Sequence, residues 1–139
     1  MRPEYDGVPC VRHGCHKCCT EAEMPLTEAD VGRLEALGHR RERFSVLDDE
    51  WVPQLRMVDG HCFFLGPTGR CSVHDARPIG CRLYPMVWDQ YTGRVARDDF
   101  CPFVREFPTD PDVDRQVAEV LATLRREAEV RRVAGPAKP

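Results

Sequence analysis

The chain has 139 residues, 42% hydrophobic and 31% charged, with a formal net charge of −3, which suits one modest domain and leaves little room for two. Its charges are mixed in sign with no basic stripe, so nucleic-acid binding is not expected, and no run of about eighteen apolar residues occurs, so no membrane-spanning helix is expected. The eight cysteines are the unusual figure, and they admit metal ligands, disulfides or redox thiols.

The segment Met1 to Gly7 has no apolar run that could serve as a signal core, so the expected compartment is the cytoplasm. Disulfides are uncommon there, which turns the cysteines towards metal. From Cys10 to Cys19 no periodicity is visible, and the segment reads as a loop wrapped around something. A helix is predicted next, with Thr27 as N-cap, Asp30 completing a capping box, an apolar stripe of Leu26, Val31, Leu34 and Leu37, and Gly38 at its C-terminus. The charged stretch from Arg40 to Gln54 is ambiguous and has room for a short helical turn before Pro53.

Short strands are predicted in the middle. Residues 55–58 lead into Asp59-Gly60, a strong hairpin signal, and residues 61–65 return. Gly66-Pro67-Thr68-Gly69 turns again into a strand over 70–74. Residues 75–85, with two prolines and a glycine, read as a short helical turn or a loop. Met86-Val87-Trp88 and Arg94-Val95-Ala96 are expected to pair across a turn at Thr92-Gly93. The clearest element is a C-terminal helix over about 110–133. Asp110 caps it, Pro111 stands at its first position, and Val113, Val117, Val120, Leu121 and Leu124 give helical spacing. Arginines 125, 126, 131 and 132 load its C-terminal part, and Gly135-Pro136 ends it.

The fold class expected is therefore α+β. One small domain over 1–139, with its core at 10–102, has short antiparallel strands and cysteine-rich loops around a metal site. An N-terminal helix and a long C-terminal helix flank it, and the cysteines lie in loops and at strand ends.

Cys15 and Cys18 form a CxxC pair, the half-site of zinc knuckles and also of dithiol redox centres. Cys10 and Cys19 flank it. Adjacent side chains diverge on an extended chain, so Cys18 and Cys19 together suggest two ions, a cluster, or one ligand plus one spare. Cys62, Cys71, Cys81 and Cys101 are widely spaced and depend on the fold to gather them. Eight thiols make two four-cysteine sites, one binuclear site, or one site with leftovers. A zinc bound by four thiolates is formally a dianion, which favours cationic donors nearby. Arg77 and Arg82 are the candidates to serve a bound cofactor in this way, ahead of Arg12, Lys17 and Arg70. His13, His16 and His74 can each replace a thiol, although surface or hydrogen-bonding roles are cheaper, and His39 and His61 are read as structural. Asp30, Asp75, Asp98 and Asp99 are explained by capping and turns. No hydrolase, zinc-protease, phosphate-loop or dinucleotide motif is present.

Cys15-His-Lys-Cys18-Cys19, the helix start Leu26-Thr27-Glu28-Ala29-Asp30, and the blocks His61–Leu65, Gly69–His74, Arg77–Pro85 and Cys101-Pro102 together resemble the YkgJ family of cysteine-cluster proteins. That family is described as a zinc- or iron-chelating domain and as iron–sulfur-cluster-containing proteins. The resemblance implies that Cys15, Cys18, Cys62, Cys71 and Cys81 are ligands, joined by Cys101. The family's first step is usually CxxC, whereas four residues separate Cys10 from Cys15 here, so Cys10 departs from the pattern. Some larger relatives look like lysine methylases of flagellin.

Three readings follow. In the first, a zinc- or iron-binding module contacts a metal ion and a protein or peptide partner. In the second, an iron–sulfur enzyme or accessory protein acts in protein modification or redox chemistry. In the third, disulfides staple the domain. Whether the chain is an enzyme is open at this stage.

Overall fold

The computed structural model describes residues 5, 8–15, 17–20 and 23–134, with the backbone alone at Val8, Val11 and Cys18. The expected helix end at Gly135-Pro136 lies outside the described residues, as do His16 and the segment 1–4. The helices are α1 (Val8–His13), α2 (Glu28–Ala36), α3 (Arg41–Phe44), α4 (Ile79–Leu83) and α5 (Pro111–Ala134). The strands are β1 (Ser45–Leu47), β2 (Pro53–Leu55), β3 (Met57–Val58), β4 (His61–Cys62), β5 (Met86–Asp89) and β6 (Arg94–Arg97). They pair antiparallel as β1–β2, β3–β4 and β5–β6, three two-stranded ribbons among the described residues. The fold is α+β, a single small domain with a long C-terminal helix, as expected.

Helix α2 starts where its capping residues put it. Thr27 Oγ1 accepts from the Asp30 amide at 3.1 Å, and Asp30 Oδ2 accepts from the Thr27 amide at 3.0 Å, a complete capping box. The helix ends in a Schellman turn. Gly38, at φ 96°, donates its amide to Glu35, and His39 donates to Leu34. Leu26, Val31 and Leu34 are buried, but Leu37 is 56% exposed. The stripe breaks there because Leu37 is the C-cap, where the chain leaves helical geometry. On α5, Asp110 Oδ1 accepts from the Asp112 amide at 3.0 Å, Pro111 opens the helix, and Val113, Val117 and Leu124 are buried.

Asp30 does more than cap. It is fully buried, and its Oδ1 also accepts from the Ile79 amide at 2.9 Å and from Arg33 Nη2 at 2.5 Å. One carboxylate thus pins the start of α2 to the start of α4, which carries Cys81. Asp30→Ala leaves two backbone amides without their acceptor at about 1–3 kcal/mol each. Denaturant unfolding is expected to show a loss of about 3 kcal/mol, and a loss under about 1 kcal/mol would refute this linchpin role.

Glu28 ties three helices together. Its carboxylate pairs with Arg41 Nη2 at 2.9 Å and with Arg131, which also donates to the Trp51 carbonyl. Burial opposes ionisation of Glu28, but the two guanidinium groups outweigh it and hold the carboxyl below the ordinary glutamate value.

Several expectations are corrected. The segment from Cys10 to Cys19 is not a loop throughout. Cys10 lies on α1, and residues Lys17–Cys19 form a 3-10 turn. Cys81 also lies on a helix, α4. These helices are one or two turns long, too short for periodicity to register. The ambiguous stretch over 40–54 holds α3 and an unforeseen hairpin, β1–β2. The hairpin at Asp59-Gly60 is present with both residues at positive φ, 52° and 84°, but β4 stops at Cys62. The strand expected over 70–74 reduces to a single bridge between Leu65 and Cys71, followed by a 3-10 turn at His74–Ala76. The glycine turn spends its carbonyls locally instead, with Gly66 donating to Arg70 and Gly69 to Gly66.

The buried side chains fall into two groups. Met24, Leu26, Val31, Leu34, Phe44, Leu55, Cys62, Phe64 and Val73 form one. Tyr5, Leu83, Met86, Cys101, Phe107, Val113 and Val117 form the other. Among the described residues, no helix is long and apolar enough to cross a membrane.

Candidate metal centre

A cavity of about 320 Å³ lies between the two cores, taking Met24, Leu55, Cys62, Phe64 and Val73 from one and Tyr5 and Phe107 from the other. Six cysteines line it: Cys10, Cys15, Cys19, Cys62, Cys71 and Cys81. They arrive on different elements. Cys10 comes from α1 and packs against the second core, whereas Cys19, Cys71 and Cys81 pack against the first. Cys62 is 6% exposed at the end of β4. Sequence distance is therefore no guide to which thiols meet.

The four-residue gap between Cys10 and Cys15 has a local explanation. Gly14 takes φ 60°, and the Cys15 amide donates to the Cys10 carbonyl at 2.8 Å. This is the long hydrogen bond of a Schellman turn, and it folds Cys15 back beside Cys10 as α1 ends. The departure in spacing is absorbed by a helical turn, and both residues face one cavity.

Of the two remaining predicted ligands, one stands elsewhere. Cys101 is 7% exposed within the second core and does not line the cavity. The side chain of Cys18 lies outside the described residues. No disulfide joins any two of the seven cysteines whose side chains are described.

The charged residues of the wall are all basic. Arg70, Arg77 and Arg82 line the cavity together with His74, and no described aspartate or glutamate does. Arg77 is 8% exposed. Its Nη1 donates to the His74 carbonyl at 2.7 Å and its Nη2 to the Tyr5 carbonyl at 3.0 Å. It therefore braces the segment after Cys71 against the N-terminal segment while adding its charge to the wall. Arg12 and Lys17 serve other contacts. Arg12 pairs with Glu106 at 2.8 Å, and Lys17 Nζ sits 4.5 Å from the centre of the Phe100 ring. His13 joins them, with its Nε2 donating to Glu106 at 2.6 Å and its ring stacked on Phe103 at 3.8 Å. His39 packs edge-on against Phe64, and the ring nitrogen Nδ1 of His61 lies 3.1 Å from the Cys62 carbonyl.

Two thioethers, Met24 and Met57, stand on the same wall without any local pattern to announce them. A Cβ at Gly80 would approach Met24 Sδ to 2.5 Å, so glycine at that position lets α4 lie against Met24. This is a reason for glycine just before Cys81 that only the tertiary contact supplies.

The donor set suits a thiophilic ion. Thiolates favour zinc and iron–sulfur centres, while hard cations such as magnesium and calcium favour carboxylate-rich oxygen sets, and no described aspartate or glutamate lines this wall. The thiols are gathered but not closed. Among the described residues, no three His, Cys, Asp or Glu side chains are near enough to hold one ion.

Residues 9–102 match the model of the CxxCxxCC family, described as "Putative zinc- or iron-chelating domain". The chain belongs to the CxxCxxCC family. The matched span contains all eight cysteines and ends just after Cys101. It covers the lining residues from Cys10 to Tyr84, whereas Tyr5, Phe107 and α5 lie outside it. No curated protein and no solved structure matches the chain. The chelating character of the CxxCxxCC family agrees with the metal-binding expectation drawn from the cysteines.

Proposed function

We propose that this chain is a zinc-stabilised module, in which cavity cysteines hold the metal between the two halves of the core. One observation carries the reading: thiols from α1, the turns after it, β4, the Leu65–Cys71 bridge and α4 line a single cavity whose charged side chains are all cationic. A metal bound there cross-links segments that otherwise meet over a void. In a chain of this size that contribution is large, because binding free energy at a structural zinc site is folding free energy. Arg77 and Arg82 offset the negative charge of the thiolates. The thiols stay reduced in a compartment such as the cytoplasm.

The test is purification without oxygen, followed by metal analysis, a visible spectrum and thermal unfolding with and without a chelator. Colourless protein with stoichiometric zinc, strongly destabilised by the chelator, is expected. Visible absorption with acid-labile sulfide would replace zinc by an iron–sulfur cluster. Metal-free protein without titratable thiols would refute metal binding and leave disulfides.

A further inference from the structure

The wall of the cavity is not held equally well all round. Cys62, Phe64, Val73 and Cys81 belong to the first core or pack against it. Cys10, Gly14 and Cys15 come from α1 and the turn after it. α1 has six residues, far fewer than the roughly 12–15 that a helix needs to persist by itself. Its docking therefore decides whether that part of the wall stays in place.

The two ends of this segment are held differently. On the N-terminal side Tyr5 is 1% exposed, with its hydroxyl donating to the Pro108 carbonyl at 2.9 Å and its carbonyl accepting from Arg77 Nη2 at 3.0 Å. Pro9, near the start of α1, is fully buried as well. On the C-terminal side the described holds lie at the surface. Glu106 accepts from Arg12 Nη1 on Oε1 at 2.8 Å and from His13 Nε2 on Oε2 at 2.6 Å, and the His13 ring lies parallel to Phe103. Arg12 is 59% exposed, and His13 and Glu106 are each 32% exposed, so water competes for these bonds and each is weak. Gly14 follows at φ 60°, with open space where a Cβ would stand. Glycine there takes up new backbone angles at little cost.

Two weak bonds that end on one carboxylate make a single point of release. We infer that Glu106 latches α1 over the cavity, and that release of Arg12 and His13 lets the stretch from Arg12 to Cys15 swing out about the anchored Tyr5 and Pro9 and open the thiol wall. Elements that open for a ligand are drawn from the least stable parts of a fold, and a buried metal site needs an entry path. Phe103 and Glu106 lie beyond the residues 9–102 that match the family, so the latch is no part of the matched span.

The latch itself does not depend on bound metal, but its use for metal rests on the reading above, and the two are tested apart. In reduced, metal-free full-length protein, Glu106→Ala is compared with the parent and with Glu106→Gln, which keeps an acceptor for one of the two donors. Amide hydrogen exchange is followed by peptide mass, together with alkylation of Cys62 by iodoacetamide. Cys62 is 6% exposed and lines the cavity, so its alkylation reports opening. In Glu106→Ala, exchange over residues 8–15 and alkylation of Cys62 are each expected to rise about tenfold, the equivalent of about 1.4 kcal/mol, with Glu106→Gln in between. Exchange in α2 and α5 and the denaturation midpoint should stay at the parent's values. Faster exchange in every element shows a general loss of stability and overturns the latch, as does an unchanged rate over residues 8–15 or at Cys62. Zinc uptake and release are then timed. A gate raises both rates by the same factor and leaves affinity unchanged, because it favours neither end state over the other. Weaker affinity with an unchanged rate of uptake overturns the gating role. Protein that takes up no zinc refutes the metal reading, and exchange and alkylation still decide the latch.

Discussion

Cys62→Ser is expected to weaken zinc binding by more than about 100-fold, or about 3 kcal/mol. Changes to residues that only orient a ligand typically cost 10–100-fold, and loss of a thiolate itself exceeds that. Cys62 is the sharpest choice because it is 6% exposed, lies at the end of β4 opposite Met57, and faces the cavity from the first core. Serine keeps the size but offers a hard, weakly acidic oxygen to a thiophilic ion. Competition against a chromophoric chelator gives the affinity. Unfolding in the metal-free state separates the cost of burying a hydroxyl from the cost of losing the metal. Equal zinc affinity in the variant and the parent would remove Cys62 from the ligand set.

Phe64→Ala is expected to cost about 3–5 kcal/mol in metal-free protein. Phe64 is 2% exposed and meets three rings: Phe63 at 5.1 Å, Phe44 at 5.6 Å and His39 at 4.9 Å between centroids. It also forms part of the cavity wall, and its carbonyl accepts from the Ser72 amide at 2.7 Å. Deletion of the ring empties the first core at the point where β4 turns towards Cys71. A small domain has roughly 5–15 kcal/mol in total, so much of the population should unfold near 37 °C without metal. Excess zinc should restore part of the folded fraction by mass action. A shift below about 1 kcal/mol in denaturant unfolding would show that this core relaxes around the gap.

Long amphipathic segments were legible in the sequence because their signals are local. Thr27 and Asp30 cap α2 through bonds spanning three residues, Gly38 closes it, and Asp110-Pro111 opens α5. The Asp59-Gly60 turn was legible for the same reason, since few residues accept positive φ. Short elements were not legible. α1, α4 and the 3-10 turns are too brief to show a period, so Cys10, Cys19 and Cys81 were expected in loops and strand ends. The hairpin β1–β2 escaped notice because Arg41 to Gln54 mixes charges with single apolar residues, and Phe44 and Leu55 are buried only by tertiary packing.

The sequence by itself determined the chemistry of the candidate centre: a set of thiols, basic residues near them in the chain, and a family signature running through residues 9–102. Residue type and order suffice for that, because ligand preference belongs to the atom and not to its position. The tertiary structure alone decided membership of the cavity wall. It brought Cys10, displaced in spacing, beside Cys15 through the turn at Gly14, and it carried Cys101 into the second core, off the cavity wall. It also turned Arg12 and Lys17 outward to Glu106 and Phe100 while keeping Arg77 on the wall between His74 and Tyr5. Those outcomes depend on contacts between residues up to about a hundred positions apart, which packing fixes and local pattern does not encode.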